Sequence, residues 1–286
     1  MRVFLMVLAL LLAGTNTALA GELSGTLKRI NDSGQINIGF RTAEPPMSFV
    51  DQSDRPIGSS IDVCDHIATA VKRKLGRDDI AVNYLPVTAE SRFTAIESGG
   101  IDILCGATTK TLGRSERVDF TQLTFVTGAS LLSLDSSPVM DVESLKAKRV
   151  AVVDKTTTID ALKGALSERL IDAEIVPVNS AMEGMDALDK GEVDAFSSDQ
   201  VVLIGQALAR KTDKKYFLSQ EMFSFEPFAL AVARDDADFR LVADRALSQL
   251  YRSGQIAGIY NRWFGRFAKK PPVALKALYQ LHSTPE

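Results

Sequence analysis

The sequence predicts an α/β protein of two facing lobes, each a mostly parallel sheet flanked by helices. Three observations carry this prediction. Short apolar strands alternate with amphipathic helices from Gln35 onward, the pattern of helices packed on a parallel sheet. The alternation then begins again near Val142. Strands in both series run into small hydroxyl residues, Thr108-Thr109 in the first and Thr156-Thr157 in the second. Ligands of open α/β sheets sit at the carboxyl ends of strands, so two such edges place a ligand between the lobes.

The first twenty residues stand apart from that pattern. Arg2 is followed by an apolar run from Val3 to Ala13, too short to span a bilayer. Ala18-Leu19-Ala20 is an A-x-A site, so residues 1–20 read as a signal peptide cleaved before Gly21, in preference to an uncleaved anchor. The mature chain is expected in the periplasm by the Sec route. No lipobox cysteine follows the leader. Cleavage removes Arg2 and leaves 32 basic against 36 acidic residues, taking the formal charge from −3 to −4. That mild acidity, with no basic block, argues against nucleic acid as a partner. About 266 residues remain, natural for two domains of about 100–150.

Each element follows from its residues. Gln35–Phe40 reads as the first strand, ending at Arg41. Gly58–Leu75 reads as a helix because Ile61, Cys64, Ile67, Ala68 and Val71 recur on one face. His66 within it is read as a half-buried packing residue and Lys72–Lys74 as a solvated face. Ile80–Pro86 is a strand, Ser91–Gly99 a short helix stopped by glycine, and Ile101–Leu104 a third strand. Phe125–Leu134 is a further strand with Gly128 as a candidate hinge. In the second series Val142–Lys146 is a helical turn and Arg149–Val153 a strand. Thr156-Thr157-Thr158 opens a helix through Leu166, and Ala173–Val178 is a strand. Ser180 caps a helix through Lys190 that Gly191 ends. Val193–Ser197 leads into Asp199, itself placed to cap a helix over Val201–Ala209. Phe225–Arg234 is the strand that returns to the first lobe. Helices Ala237–Ser253 and Gln255–Phe264 follow, with Trp263 as core packing and Lys269-Lys270-Pro271-Pro272 opening a surface tail.

The chemistry concentrates in Ile101–Phe120. A buried strand ending in Thr108 and Thr109 presents backbone N–H groups and hydroxyls to a crevice. Arg114, five residues past Thr109, adds a planar fork of donors that matches a carboxylate. Alone, Arg114 is equally a surface residue paired with Glu116 or Asp119. Two cysteines, Cys64 and Cys105, form an even pair in an exported chain, which favours one disulfide over two buried thiols. The histidines, His66 and His282, are far apart and no C-x-x-C occurs, so neither a metal site nor a cofactor is expected.

Several segments together resemble a known family. They are Leu27–Phe40, Gly58–Ile67, Pro86–Arg92 (PVTAESR), Asp102–Arg117, Leu145–Thr158, Gly191–Asp199 (GEVDAFSSD) and Gly254–Phe264 (GQIAGIYNRWF). Their order and spacing resemble the family 3 extracellular solute-binding proteins of ABC importers, and within them the binders of glutamate and aspartate. The resemblance implies a two-lobed clamshell with two hinge strands, closing over an amino acid. It implies one lobe of residues 21–128 plus 228–286, and a second of 129–227. It implies further that Arg114 and Thr109, beside Thr108, hold the ligand's α-carboxylate and that Asp199 receives the α-ammonium. Thr156 and Thr157 would touch the ligand from the second lobe. Arg41 and Arg92 would face a side-chain carboxylate. The expected partners are glutamate or aspartate and a membrane permease, and the expected state is a monomer.

The residues agree with those roles. A zwitterion in a dry cleft needs a cation, an anion and neutral donors, because unpaired buried charge is costly. Three positions depart from the acidic binders' pattern: Ala89, Ala107 and Ala181 stand where that pattern carries polar side chains. Ser91 is near enough in sequence to replace one donor. The resemblance also admits cyclohexadienyl or arogenate dehydratases, for which Glu183 is the candidate general acid. A ligand-presenting sensor is a third reading.

Overall fold

The computed structural model describes residues 22–286; the expected signal peptide lies outside them. The chain begins with α1 (Gly25–Ser33), β1 (Gln35–Phe40) and a small hairpin sheet of β2 (Ala43–Glu44), β3 (Ser48–Val50) and β4 (Pro56–Ile57). Next come α2 (Ser59–Leu75), β5 (Ala81–Pro86), α3 (Arg92–Glu97), β6 (Ile103–Cys105), α4 (Leu112–Ser115) and β7 (Asp119–Thr127). The second series is β8 (Ala129–Leu134), β9 (Arg149–Val153), α5 (Thr157–Glu168), β10 (Glu174–Val178), α6 (Ala181–Lys190), β11 (Ala195–Asp199), α7 (Gln200–Ala209) and β12 (Tyr216–Leu218). The chain ends with β13 (Glu226–Val232), α8 (Ala237–Arg252), α9 (Ile256–Phe264) and α10 (Val273–Leu281).

Two five-stranded sheets form the two lobes, ordered β5-β1-β6-β13-β7 and β10-β9-β11-β8-β12. β1 pairs in parallel with β5 and β6, as β9 does with β10 and β11. The strands next to the crossings, β13 in the first sheet and β8 in the second, pair antiparallel with their neighbours. The expected Phe125–Leu134 strand is therefore two strands in different sheets, parted at Gly128. A Cβ at Gly128 would meet Ser224 O at 2.4 Å, so only glycine fits where the two crossings touch.

Local chemistry explains the elements. The apolar face of α2 is buried, and Gly76 at φ 65° caps it behind a basic last turn, which suits the helix dipole. His66 falls off that face and is exposed, contrary to the packing role expected for it. Ser180 caps α6 by accepting from Glu183 N, and Gly191 at φ 72° ends it. Trp263 stands edge-on to Phe49 and donates to Asp62 at 2.7 Å, a packing role as expected. The expected surface tail is instead α10, whose Leu275 and Leu278 are buried, with Tyr279 stacked on Tyr251. Pro272 is the N-cap of that helix, well past the end of α9 at Phe264.

The disulfide forms. Cys64 on α2 joins Cys105 at the end of β6, with their Cα atoms 6.4 Å apart. It ties the main helix of the first lobe to the strand end that carries Thr108 and Thr109.

The lobes are closed on each other. One apolar cluster runs through both, joining Met47, Phe125 and Phe228 to Leu132, Val153 and Val202. Gln206 of α7 donates to Ala43 O at 2.7 Å. A Cβ at Gly205 would lie 2.1 Å from Pro45 O, so glycine there permits the close approach of α7 to the hairpin sheet.

Candidate functional site

The pocket between the lobes is enclosed and lined by charge. Arg41 follows β1, Arg92 opens α3, and Thr109 follows β6 and bridges to Phe228. Arg114 lies on α4, held there because Thr111 caps the turn by accepting from Arg114 N. From the second lobe Thr156 and Thr157 open α5 after β9, and Asp199 ends β11. The two lobes thus bring strand carboxyl ends together around one space, the arrangement ligands of α/β sheets use.

Seven of the eight sequence-predicted residues line this pocket. Thr108 does not; it is buried, and its carbonyl accepts from Ala229 N at 3.0 Å, anchoring the segment to β13. Arg41 lines the pocket and pairs with Glu44 Oε1 at 3.1 Å, so part of its charge is already answered within the first lobe. Arg92 donates to Ala89 O in its own lobe and across the cleft to Lys155 O at 3.1 Å. Arg114 donates to Thr109 O at 2.7 Å. Arg92 and Arg114 lie over the Phe93 ring, 4.6 and 5.5 Å from its centroid. Glu183, the candidate general acid, faces solvent and accepts from Asn179 at 2.7 Å.

Two acids that sequence reasoning passed over complete the site. Glu226 is buried at the start of β13. It accepts from Thr109 at 2.5 Å, from Thr157 at 2.8 Å and from Ser224 at 2.7 Å. Its signal was an acid inside an otherwise apolar strand. Glu44 lines the pocket beside Arg41, and its signal was an acid three residues past an arginine. Glu44 Oε2 and Asp199 Oδ1 are the only buried side-chain nitrogen or oxygen atoms without a hydrogen bond among the described residues.

These surroundings shift the charges. Burial, then the nearby Glu226 and Glu44, push Asp199 well above the usual carboxylate range, with Arg114 opposing. Burial, then Arg114 and Arg41, push Arg92 down to about 9. Burial lowers Arg114 against the pull of Glu226 and Asp199. Asp199 makes no capping bond to α7 through its side chain. The buried, unpartnered Asp199 oxygen shares one pocket with the buried guanidinium of Arg92 and the half-buried one of Arg114. Among the described residues no cluster of His, Cys, Asp or Glu is placed to hold a metal, and no helix is long and apolar enough to cross a membrane.

Fold and pocket define a two-lobed α/β protein with a charge-lined pocket between its lobes, the architecture of a solute-binding protein. The chain belongs to the bacterial extracellular solute-binding proteins, family 3, whose model matches residues 36–266. Over 246 residues it is 33% identical to the L-glutamate/L-aspartate-binding protein of Pseudomonas aeruginosa, covering 86% of this chain and 82% of that one. It is 28% identical to the glutamate/aspartate import solute-binding protein of Escherichia coli, covering 86% and 81%. An ancestral arginine-binding protein bound to glutamine superposes with a TM-score of 0.72 at 25% identity, covering 81% of this chain and 98% of that one.

Proposed function

We propose that this chain is the periplasmic receptor of an ABC importer for L-amino acids of the glutamate, aspartate, glutamine and asparagine group. The carrying observation is that Arg114 of one lobe and Asp199 of the other line the same enclosed pocket. A zwitterion bridges them, carboxylate to Arg114 and ammonium to Asp199, and so favours the closed state through its differential contacts. Arg92 supplies donors to an oxygen on the ligand side chain. Glutamate and aspartate, the ligands named for two of the relatives, meet these needs.

Residues 21–128 with 228–286 form one closing body and 129–227 the other. The protein performs no chemistry, works as a monomer and hands its ligand to a membrane permease. The dehydratase reading has no support from Glu183, which lies on the outer surface of α6 and away from the pocket.

The test is a thermal-shift screen of the refolded, ligand-stripped mature protein against glutamate, aspartate, their amides and arginine. Ligand at about a thousand times its dissociation constant adds roughly 4 kcal/mol of stability. A shift with at least one member of the group, lost in Arg114→Ala, is expected. No shift with any of them contradicts the proposal.

A further inference from the structure

The pocket's charges are unequally partnered. Arg41, Arg92 and Arg114 of the lining stand against Glu44 and Asp199 of the lining and Glu226 just behind Thr109 and Thr157, a balanced set. Three hydroxyls satisfy Glu226. Arg41 takes Glu44 Oε1. Glu44 Oε2 and Asp199 Oδ1 remain buried without a donor, and both residues line the pocket. Such atoms carry the full cost of desolvation until a partner arrives.

With the ligand's ammonium on Asp199 in the second lobe, Glu44 beside Arg41 is left for the side-chain end of the ligand. Glu44 then needs a donor from elsewhere on the ligand. A side-chain carboxylate has none, since an ionised carboxyl only accepts. It would also add one net negative charge to a balanced buried set and stand beside Glu44. A carboxamide meets both demands, with an oxygen for Arg92 and two N–H donors for Glu44. Ala107 and Ala181 line the pocket with methyl groups and offer no hydroxyl or amide in their place.

We propose that Glu44 is a specificity-determining residue that selects a carboxamide side chain, so that glutamine or asparagine binds in preference to the corresponding acid. This rests on the amino-acid-receptor reading and deepens it.

The experiment is isothermal titration of the ligand-stripped mature protein and its Glu44→Gln variant with L-glutamine, L-asparagine, L-glutamate and L-aspartate at neutral pH. In the native protein one amide binds at least tenfold tighter than its acid. In Glu44→Gln the advantage shrinks at least tenfold, because residue 44 then carries no charge and Arg41 is released. An acid that binds the native protein as tightly as its amide, or more tightly, overturns the proposal. So does an amide preference that Glu44→Gln leaves unchanged. In those cases loss of binding in Arg114→Ala shows that the receptor reading survives without the Glu44 claim. No binding of any of the four overturns both.

Discussion

The Thr157 hydroxyl of the second lobe donates at 2.8 Å to Glu226 Oε2, at the start of the strand that crosses back to the first lobe. Thr109 donates to the same oxygen from the first lobe. Glu226 is therefore a latch between the lobes, built from neutral donors on an acceptor-only group. In Glu226→Gln one oxygen becomes an NH2 that cannot accept, so the hydroxyl bonds to it must break or reverse, at a cost of about 1–3 kcal/mol. Ligand affinity is expected to fall by about 5- to 150-fold, by faster release. Stopped-flow dissociation measures it.

Arg114→Ala removes the cation that faces Asp199 from the opposite lobe. In the proposed complex that cation meets the ligand's α-carboxylate, and leaving an enclosed carboxylate unpaired costs about 3–5 kcal/mol, several hundred-fold or more in dissociation constant. Titration calorimetry is expected to show that loss, with the protein still folded by circular dichroism.

Asp199 sets a pH dependence whose sign follows from its surroundings. Burial and the nearby Glu226 and Glu44 raise its carboxyl well above the ordinary 3.8, against the pull of Arg114. Between 3.8 and that raised value the ligand-free pocket holds a proton on Asp199. A ligand ammonium favours the ionised form and expels it, so affinity falls as pH drops through this window. Calorimetry in two buffers of different ionisation enthalpy counts the proton released. The unliganded fold binds that proton more tightly than the unfolded chain, so its stability falls as pH rises through the same window. Asp199→Asn is expected to raise the ligand-free melting temperature while abolishing binding.

Gly205→Ala tests closure. Its new Cβ would strike Pro45 O across the lobes, yet in an open molecule alanine suits α7 better than glycine by about 1 kcal/mol. Affinity is expected to fall at least tenfold with no loss of ligand-free stability. Small-angle scattering with ligand present is expected to show a larger radius than the native protein.

Reduction of Cys64–Cys105, or Ser at both positions, opens a loop of sequence separation 41, for which the chain-entropy estimate is about 4 kcal/mol. Denaturant titration measures it.

The periodicity of α2 and the glycine stops after α3 and α6 made most of both lobes readable from the sequence. The resemblance, rather than any spacing, singled out Thr109, Arg114 and Asp199, and all three line one pocket. What escaped had physical reasons. The break at Gly128 lies inside one continuous apolar run, and only pairing to two different sheets divides it. α10 sits behind two prolines that read as an ending. The short hairpin strands β2–β4 carry too few residues for a period. Arg41 was legible as a pocket residue, but its capture by Glu44 needs the turn into β2 to bring them together. Glu226 looked like a strand residue until three hydroxyls from separate segments converged on it.

The central claim is that one ligand spans Arg114 and Asp199. The most direct test leaves the protein intact and trims the ligand. The amino acid that binds tightest is compared by calorimetry with its analogue lacking the α-ammonium and its analogue lacking the α-carboxylate. Both analogues are expected to bind at least a hundredfold more weakly, about 3 kcal/mol each. Either one binding within tenfold of the parent would contradict the account.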